Sequence, residues 1–286
     1  MGVRHLNKYI TANCSGIQSI DLASLSYKKI VIDTSIYLYK YKALGLLLVN
    51  MEKMIKLFSH FQIYPIFVFD GKPSELKTHT LEIRKEKKKE AWEKYKELSK
   101  TIPEESLVHL KSRFTKVSKL DIYQVKKLMD SFGASYIDAP NEADEICAML
   151  MLTNQVYACM SDDMDMFIYG CVRIIRNFNI DSNTADMYNL DIILNSLSMT
   201  LHEFRQVCVI SGTDYYSSSQ TLFDYVKLFN QYKRTTYTDF YDWLSFIGKI
   251  KNKNKLMISF NMFIQPELQQ PRALTSGSAD SCTSVN

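Results

Sequence analysis

Residues 156–170 read VYACMSDDMDMFIYG, an apolar run that breaks into Asp162, Asp163 and Asp165 within four positions. A short apolar run bounded by polar residues reads as a buried strand. The carboxylates then stand at the strand's carboxyl end, and three acids that close repel one another unless a cation sits between them. Two readings stay open for the stretch by itself. One is a solvated helix N-terminus, where acids favour the positive end of the helix dipole; the other is a metal site.

The rest of the chain supplies the frame. Further apolar or β-branched runs at 29–32, 65–69, 135–137 and 172–175 alternate with helix-length segments near 36–61, 81–100, 117–132 and 142–153. This alternation predicts an α/β fold, a mostly parallel central sheet flanked by helices on both faces. Asp33 ends the first run and Asp70 the second. Asn141 is in place to cap the helix from 142, which puts Glu142 and Asp144 in its first turn. Asp214 follows the apolar helical run at 204–210. Open α/β sheets carry their sites at the carboxyl edge of the strands. Up to seven carboxylates are therefore expected to converge there. Carboxylates without His or Cys suit hard divalent ions, Mg²⁺ or Mn²⁺, rather than zinc. Two such ions about 3.5–4 Å apart clamp the attacking and leaving oxygens in phosphodiester hydrolysis, which fits a metal-dependent nuclease.

Residues 84–100, RKEKKKEAWEKYKELSK, hold eight Lys and Arg against four Glu, with Glu90 four before Lys94 as an exposed helix has. Most such runs are solvated helix faces. This one offers few apolar residues to a core and begins shortly after Asp70-Gly71-Lys72-Pro73, which places Lys77 and Arg84 near the acid edge. A basic helix beside a carboxylate–metal site guides a phosphate backbone, with Lys85, Lys87, Lys88 and Lys89 as its contacts.

Bulk properties are compatible. The 286 residues, 46% hydrophobic, suffice for a full core, and the net charge of +4 is too mild to announce nucleic acid by itself. Six scattered cysteines read as reduced thiols of an intracellular protein. No apolar run approaches the roughly 20 residues of a membrane span. The start MGVRHLNKYI lacks a signal-peptide core and has Leu6 where a myristoylation signal needs Ser or Thr. The expectation is a soluble protein without membrane contact, at a nuclear or a cytoplasmic replication site.

These residues carry a resemblance. The opening Met1-Gly2-Val3, Ile32-Asp33-Thr34-Ser35, Val68-Phe69-Asp70-Gly71-Lys72-Pro73, Ala139-Pro140-Asn141-Glu142-Ala143-Asp144, Ser161-Asp162-Asp163-Met164-Asp165 and Gly212-Thr213-Asp214-Tyr215 match, in order and spacing, motifs of one family. The chain resembles the flap endonuclease family of structure-specific 5′ nucleases, with a PIN-like fold, over roughly residues 1–215. It looks like a compact, divergent member, of a kind that would suit a large DNA virus. The resemblance implies two Mg²⁺ ions, with Mn²⁺ as a substitute, held by Asp33, Asp70, Glu142, Asp144, Asp163, Asp165 and Asp214. Asp162 matches a neighbour that is not a ligand. Asp144 stands where the family usually has Glu, a shorter arm suited to binding through water. Lys77 and Arg84 match the family's catalytic phosphate-steering cations, at the base of a helical arch expected at about 77–118. Tyr39 matches an aromatic that stacks on a nucleobase; its alternative is a core tyrosine.

The chain also departs from the family. After Asp214 it reads YYSSSQTLF where the family has a Gly-x-Gly-x-Lys turn that grips duplex phosphates with a monovalent cation. The connection from Asp33 to Asp70 is short, and no clamp-binding box is visible, so sliding-clamp partnership is not expected. The implied organisation is a nuclease core over 1–215, a reduced helical duplex-contact region over 216–265 and a disordered tail over 266–286, acting as a monomer. The expected function is Mg²⁺-dependent 5′ flap endonuclease or 5′-3′ exonuclease action on branched or 5′-ended DNA in replication, repair or recombination. The alternatives are an RNA-directed nuclease of the same fold and a nucleic-acid-binding scaffold whose cleavage has lapsed.

Overall fold

The structure is a computed structural model that describes residues 2–72, 77–250 and 252–264. Its strands are β1 (Ile17–Asp21), β2 (Lys29–Asp33), β3 (Tyr64–Phe69), β4 (Ser135–Asp138), β5 (Ala158–Met160), β6 (Arg173–Asn179) and β7 (Thr184–Asn189). They form one sheet in the order β1-β7-β6-β5-β2-β3-β4. The central pairs β6/β5, β5/β2, β2/β3 and β3/β4 are parallel, and the β6/β7 and β7/β1 pairs are antiparallel. The helices are α1 (Leu6–Asn13), α2 (Thr34–Ala43), α3 (Leu47–His60), α4 (Thr78–Leu98), α5 (Val108–Ser112), α6 (Lys119–Ser131), α7 (Ala143–Leu152), α8 (Asp165–Tyr169), α9 (Leu190–Leu197), α10 (Leu201–Ser211), α11 (Leu222–Tyr232), α12 (Phe240–Phe246) and α13 (Lys253–Asn261).

Side chains of a strand alternate between faces, so a strand buried on both sides reads as a continuous apolar run. Ile30 and Ile32 of β2, Phe67 and Phe69 of β3, and Met160 of β5 join a core with α2, α3 and α6. Val31, Val68 and Cys159 point the other way, into a core built with α1, α7, α8 and α10 to α13. Two helical layers thus clamp the sheet and bring the carboxyl ends of β2, β3 and β5 side by side. The expected mostly parallel, doubly covered sheet is what forms.

Several local expectations are corrected. The segment 36–61 is two helices, because Gly45 at φ +73 ends α2; the N–H groups of Gly45 and Leu46 bond back to the carbonyls of Lys42 and Tyr41. The 156–160 strand begins only at Ala158. β1 and β7 have no counterpart among the apolar runs of the sequence. Both are half-exposed at one side of the sheet, with polar residues throughout, so neither shows such a run. The cap of α7 is Glu142 rather than Asn141. Asp70 from β3's end accepts the N–H of Ala143 at 2.8 Å, a tertiary partner that displaces the local one. The basic run is not devoid of packing: Trp92 and Tyr95 of α4 each lie 5.1 Å from the ring of Phe114. Among the described residues, no helix is long and apolar enough to cross a membrane. Pro73 and the tail 266–286 lie outside the described residues.

Candidate metal and phosphate site

The chain assembles its acid edge from short local motifs that lock one another. Asp33 ends β2 and caps α2, accepting the N–H of Ser35 at 3.1 Å. Ser35 donates its hydroxyl to Asp70 Oδ2 at 2.5 Å, which ties the ends of β2 and β3 together. Ser161, after β5, donates to Asp33 Oδ2 at 3.1 Å and accepts the N–H of Asp163; Asp163 in turn accepts the N–H of Asp165 at 3.0 Å. Each backbone step is an i to i+2 turn in which a short polar side chain holds its own backbone. Ser35 and Ser161 were not among the expected site residues, although their spacing of two from Asp33 and Asp163 is the signal that reveals them.

Burial turns this edge into a region short of positive charge. Asp33 is 3%, Asp163 3% and Asp165 2% exposed. The reading of residues 161–170 as a solvated helix start therefore does not hold. Burial, Asp70 and Asp163 push the Asp33 carboxyl up to about 7. Burial, with Asp163 and Asp33, raises Asp144 well above the usual carboxylate range. Burial also raises Asp163, and burial with Asp163 and Asp214 raises Asp165. Asp165 Oδ1 is buried without a hydrogen-bond partner. Asp162 faces elsewhere, accepting the N–H of Asn177 at 2.8 Å, as its assignment outside the set requires.

Two cations reach the edge from the start of α4. Lys77, 7% exposed, pairs with Glu142 and lies 3.5 Å from Asp214. Arg84 of α4 donates to Asp214 Oδ2 at 2.5 Å. Burial works against the Lys77 ammonium, but Tyr215, Glu142 and Asp214 outweigh it and hold its pKa above the ordinary value. Tyr39 is 41% exposed, which removes the core alternative, and Lys88 Nζ stands 5.3 Å from its ring centre. Lys85, Lys87 and Lys89 are exposed and Lys88 is half-buried.

The structure thus brings Asp33, Asp144, Asp163 and Asp165 within electrostatic reach of one another. Asp70 stands beside Asp33, and Glu142 and Asp214 are paired to cations. Among the described residues no three His, Cys, Asp or Glu side chains close into a ready metal cage. Lys77 and Arg84 instead supply part of the compensating charge. The donor set still fits a hard divalent cation. It is all oxygen, Asp33, Asp163 and Asp165 are buried, the carboxyls of Asp33, Asp144, Asp163 and Asp165 are lifted by burial and by neighbouring charges, and one oxygen is orphaned.

Comparisons with known proteins agree with this geometry. The chain matches the XPG N-terminal domain over residues 1–91 and the XPG I-region over residues 133–214. The flap endonuclease 1 of Encephalitozoon cuniculi is 32% identical over 240 residues, which cover 76% of this chain and 68% of that protein. The chain spans 62–68% of the length of the first curated relatives it matches. The catalytic core of Rad2 in complex with DNA substrate shares the fold at a TM-score of 0.69 and 22% identity, covering 96% of this chain and 91% of that one. The Holliday junction-resolving enzyme GEN1, in complex with product DNA and a Mg²⁺ ion, does so at a TM-score of 0.62 and 17% identity, covering 93% and 65%. With the acid edge, its two opposing cations and the sequence match over both regions, the chain belongs to the flap endonuclease family.

Proposed function

We propose that the chain is a Mg²⁺-dependent, structure-specific 5′ nuclease that hydrolyses phosphodiester bonds of DNA at flaps and 5′ ends, in replication, repair or recombination. The observation that carries this reading is the direct pairing of Lys77 and Arg84 with Glu142 and Asp214, which sets two phosphate-seeking cations on the rim of a buried carboxylate cluster. In this reading residues 1–215 are the nuclease core, with the arch at about 77–118, and the helices from Leu222 onward contact duplex.

Asp33, Asp70, Glu142, Asp144, Asp163, Asp165 and Asp214 would hold two Mg²⁺ ions, for which Mn²⁺ substitutes. When bound, the ions supply Lewis-acid stabilisation to the reacting phosphodiester oxygens. The chain's own residues do the rest. Lys77 and Arg84 hold positive charge where the non-bridging oxygens of the scissile phosphate gain charge in the transition state. Tyr39 offers an exposed ring to a nucleobase. The exposed lysines of α4 follow the backbone. The choice of DNA follows the DNA complexes of the Rad2 core and of GEN1.

The test is the purified protein with Mg²⁺ on labelled 5′-flap DNA, nicked duplex, single-stranded DNA and single-stranded RNA. Cleavage of flap DNA is expected, and cleavage of RNA alone would overturn the choice of DNA. Asp163→Asn and Asp165→Asn should abolish hydrolysis while flap affinity, measured with Ca²⁺, stays nearly intact. Full activity of Asp165→Asn would overturn its place among the ligands.

A further inference from the structure

Tyr215 follows Asp214 and is 7% exposed, yet the carboxylate cluster does not need it. Its side chain meets two groups of the catalytic machinery, Glu142 and Lys77. The hydroxyl donates to Glu142 Oε2 at 3.1 Å, the same oxygen that Lys77 pairs with. The ring lies beneath the Lys77 ammonium, 4.9 Å from nitrogen to ring centre. A buried cation over an aromatic face is attracted by the ring quadrupole, and the attraction grows as water is excluded.

Tyr215 is itself held from behind. Ser259 of α13 donates its hydroxyl to the Tyr215 carbonyl at 3.1 Å, and the Tyr215 ring stands edge-on to Phe263 at 5.7 Å. Phe263 lies 5.0 Å from Tyr169, at the end of the helix that Asp165 opens. The Tyr215 backbone and ring are therefore both held by the C-terminal helical region, while the Lys77 ammonium stands over the ring.

We propose that Tyr215 is a positioning residue for Lys77: its ring fixes the ammonium over the acid edge, and its hydroxyl fixes Glu142, the ammonium's carboxylate partner. Lys77 is a flexible four-carbon stem ending in a point charge, so its value as a phosphate-steering cation depends on what restricts its rotamers. Glu142 and Asp214 supply the attraction, and the Tyr215 ring, with the hydroxyl that holds Glu142, defines where it acts. The inference rests on the nuclease reading above.

The test separates hydroxyl from ring and ring from fold. Tyr215→Phe removes only the hydroxyl; Tyr215→Leu removes the ring as well. In single-turnover cleavage of flap DNA with Mg²⁺, Tyr215→Phe should slow the reaction about 10–100-fold, the scale of one hydrogen bond to a charged group. Tyr215→Leu should slow it about a further 10-fold, the scale of a desolvated cation–π contact. In a Lys77→Ala background the step from Phe to Leu should shrink to less than about two-fold, because coupled residues are non-additive. Flap affinity with Ca²⁺ should change by less than about two-fold throughout, as for interactions made only in the transition state. A Phe-to-Leu step of equal size with and without Lys77, or an affinity loss that matches the rate loss, would overturn the inference.

A second readout needs neither metal nor cleavage. In the metal-free protein, the Lys77 ε-methylene resonance should carry an upfield ring-current shift that survives Tyr215→Phe and disappears in Tyr215→Leu. Absence of that shift in the unsubstituted protein overturns the positioning role. Failure to cut any DNA overturns the nuclease reading instead.

Discussion

At position 2 one methyl group separates a working site from a blocked one. Gly2 has φ +75, and a Cβ there would run into Asp165 Oδ1 and stand 2.6 Å from Asp163 Oδ1. The main chain at Gly2 thus packs directly on the two aspartates that leave β5. Gly2→Ala is expected to displace them and to lower the single-turnover rate by about 10²-fold, the usual result of a shift near 1 Å in a reacting group. DNA affinity should hold, and an unchanged rate would contradict this packing. Asp33 carries a second residue-scale consequence. Its carboxyl, lifted to about 7 by burial, Asp70 and Asp163, binds a proton in the folded state at pH values where the unfolded chain, with an ordinary carboxyl near 3.9, does not. Stability must then fall as pH rises from about 4 to about 7 and level off above. Asp121 works the other way. Despite burial, Lys42 and Ser118 hold it near 2, so the stability it contributes is lost only as the pH drops from about 4 towards 2. Between pH 5.5 and 8 the metal-free protein should therefore melt at higher temperature on the acid side. Mg²⁺ should raise the melting temperature more at pH 8 than at pH 5.5. A metal-free melting temperature that rises with pH across that window would contradict the charge shortage.

Among the elements, α4 joins two chemistries along one helix. Its first turns carry Arg84 to Asp214, while its middle is charged and exposed. Trp92 and Tyr95 stack on each other and meet the Phe114 ring at steep angles, and Ala91 is buried, which seats the helix on the chain that returns from it. Lys85, Lys87 and Lys89 should act on affinity alone, since all three are exposed and the cations paired to the acid edge are Lys77 and Arg84. Their joint replacement by Gln is expected to weaken flap binding and to flatten its log–log salt dependence by about 0.9 for each phosphate left without its lysine. The single-turnover rate at saturating enzyme should not change. A slower rate at unchanged affinity would move these lysines into the reaction itself. Within α2 and α3, the Gly45 break leaves Leu44, Leu46 and Val49 exposed, and Tyr39 stands on the same helix as the first turn that Asp33 caps. The Tyr39 ring and the first carboxylate are therefore held by one helix.

For the molecule as a whole, the two cores on opposite faces of the sheet make the acid edge rigid, while the segment after Asp214 takes its own course. The N–H groups of Tyr215 and Tyr216 point at the Thr213 hydroxyl, and Gln220 N–H at the Ser218 hydroxyl. No residue from 213 to 221 has positive φ. A turn closed by its own side chains presents no glycine-type nest of N–H groups to a phosphate. Duplex affinity is therefore expected to fall monotonically with salt and to be equal in KCl and NaCl of the same concentration. The measurement is a titration of flap and duplex DNA with Ca²⁺ in place of Mg²⁺. A potassium-specific gain in duplex affinity would show that this segment builds a cation site after all.

Periodicity and spacing determined the parallel sheet, its two covering layers and the carboxyl-edge position of Asp33, Asp70, Asp163 and Asp165. These follow from local physics: a strand buried on both faces must be apolar, so a carboxylate that ends it is conspicuous. β6 was legible from its apolar 172–175 run, whereas its hairpin partner β7 and the edge strand β1 stayed hidden, because a half-exposed strand needs no apolar run; the Asp181-Ser182-Asn183 turn was the hairpin's local sign. Only the tertiary structure decided that Asp70 rather than Asn141 meets the Ala143 N–H. The same holds for Gly2 beneath Asp165, and for Tyr215 between Lys77 and Glu142. Each of these contacts joins residues far apart in the chain, and their energy depends on burial and charge that exist only once both layers have closed on the sheet.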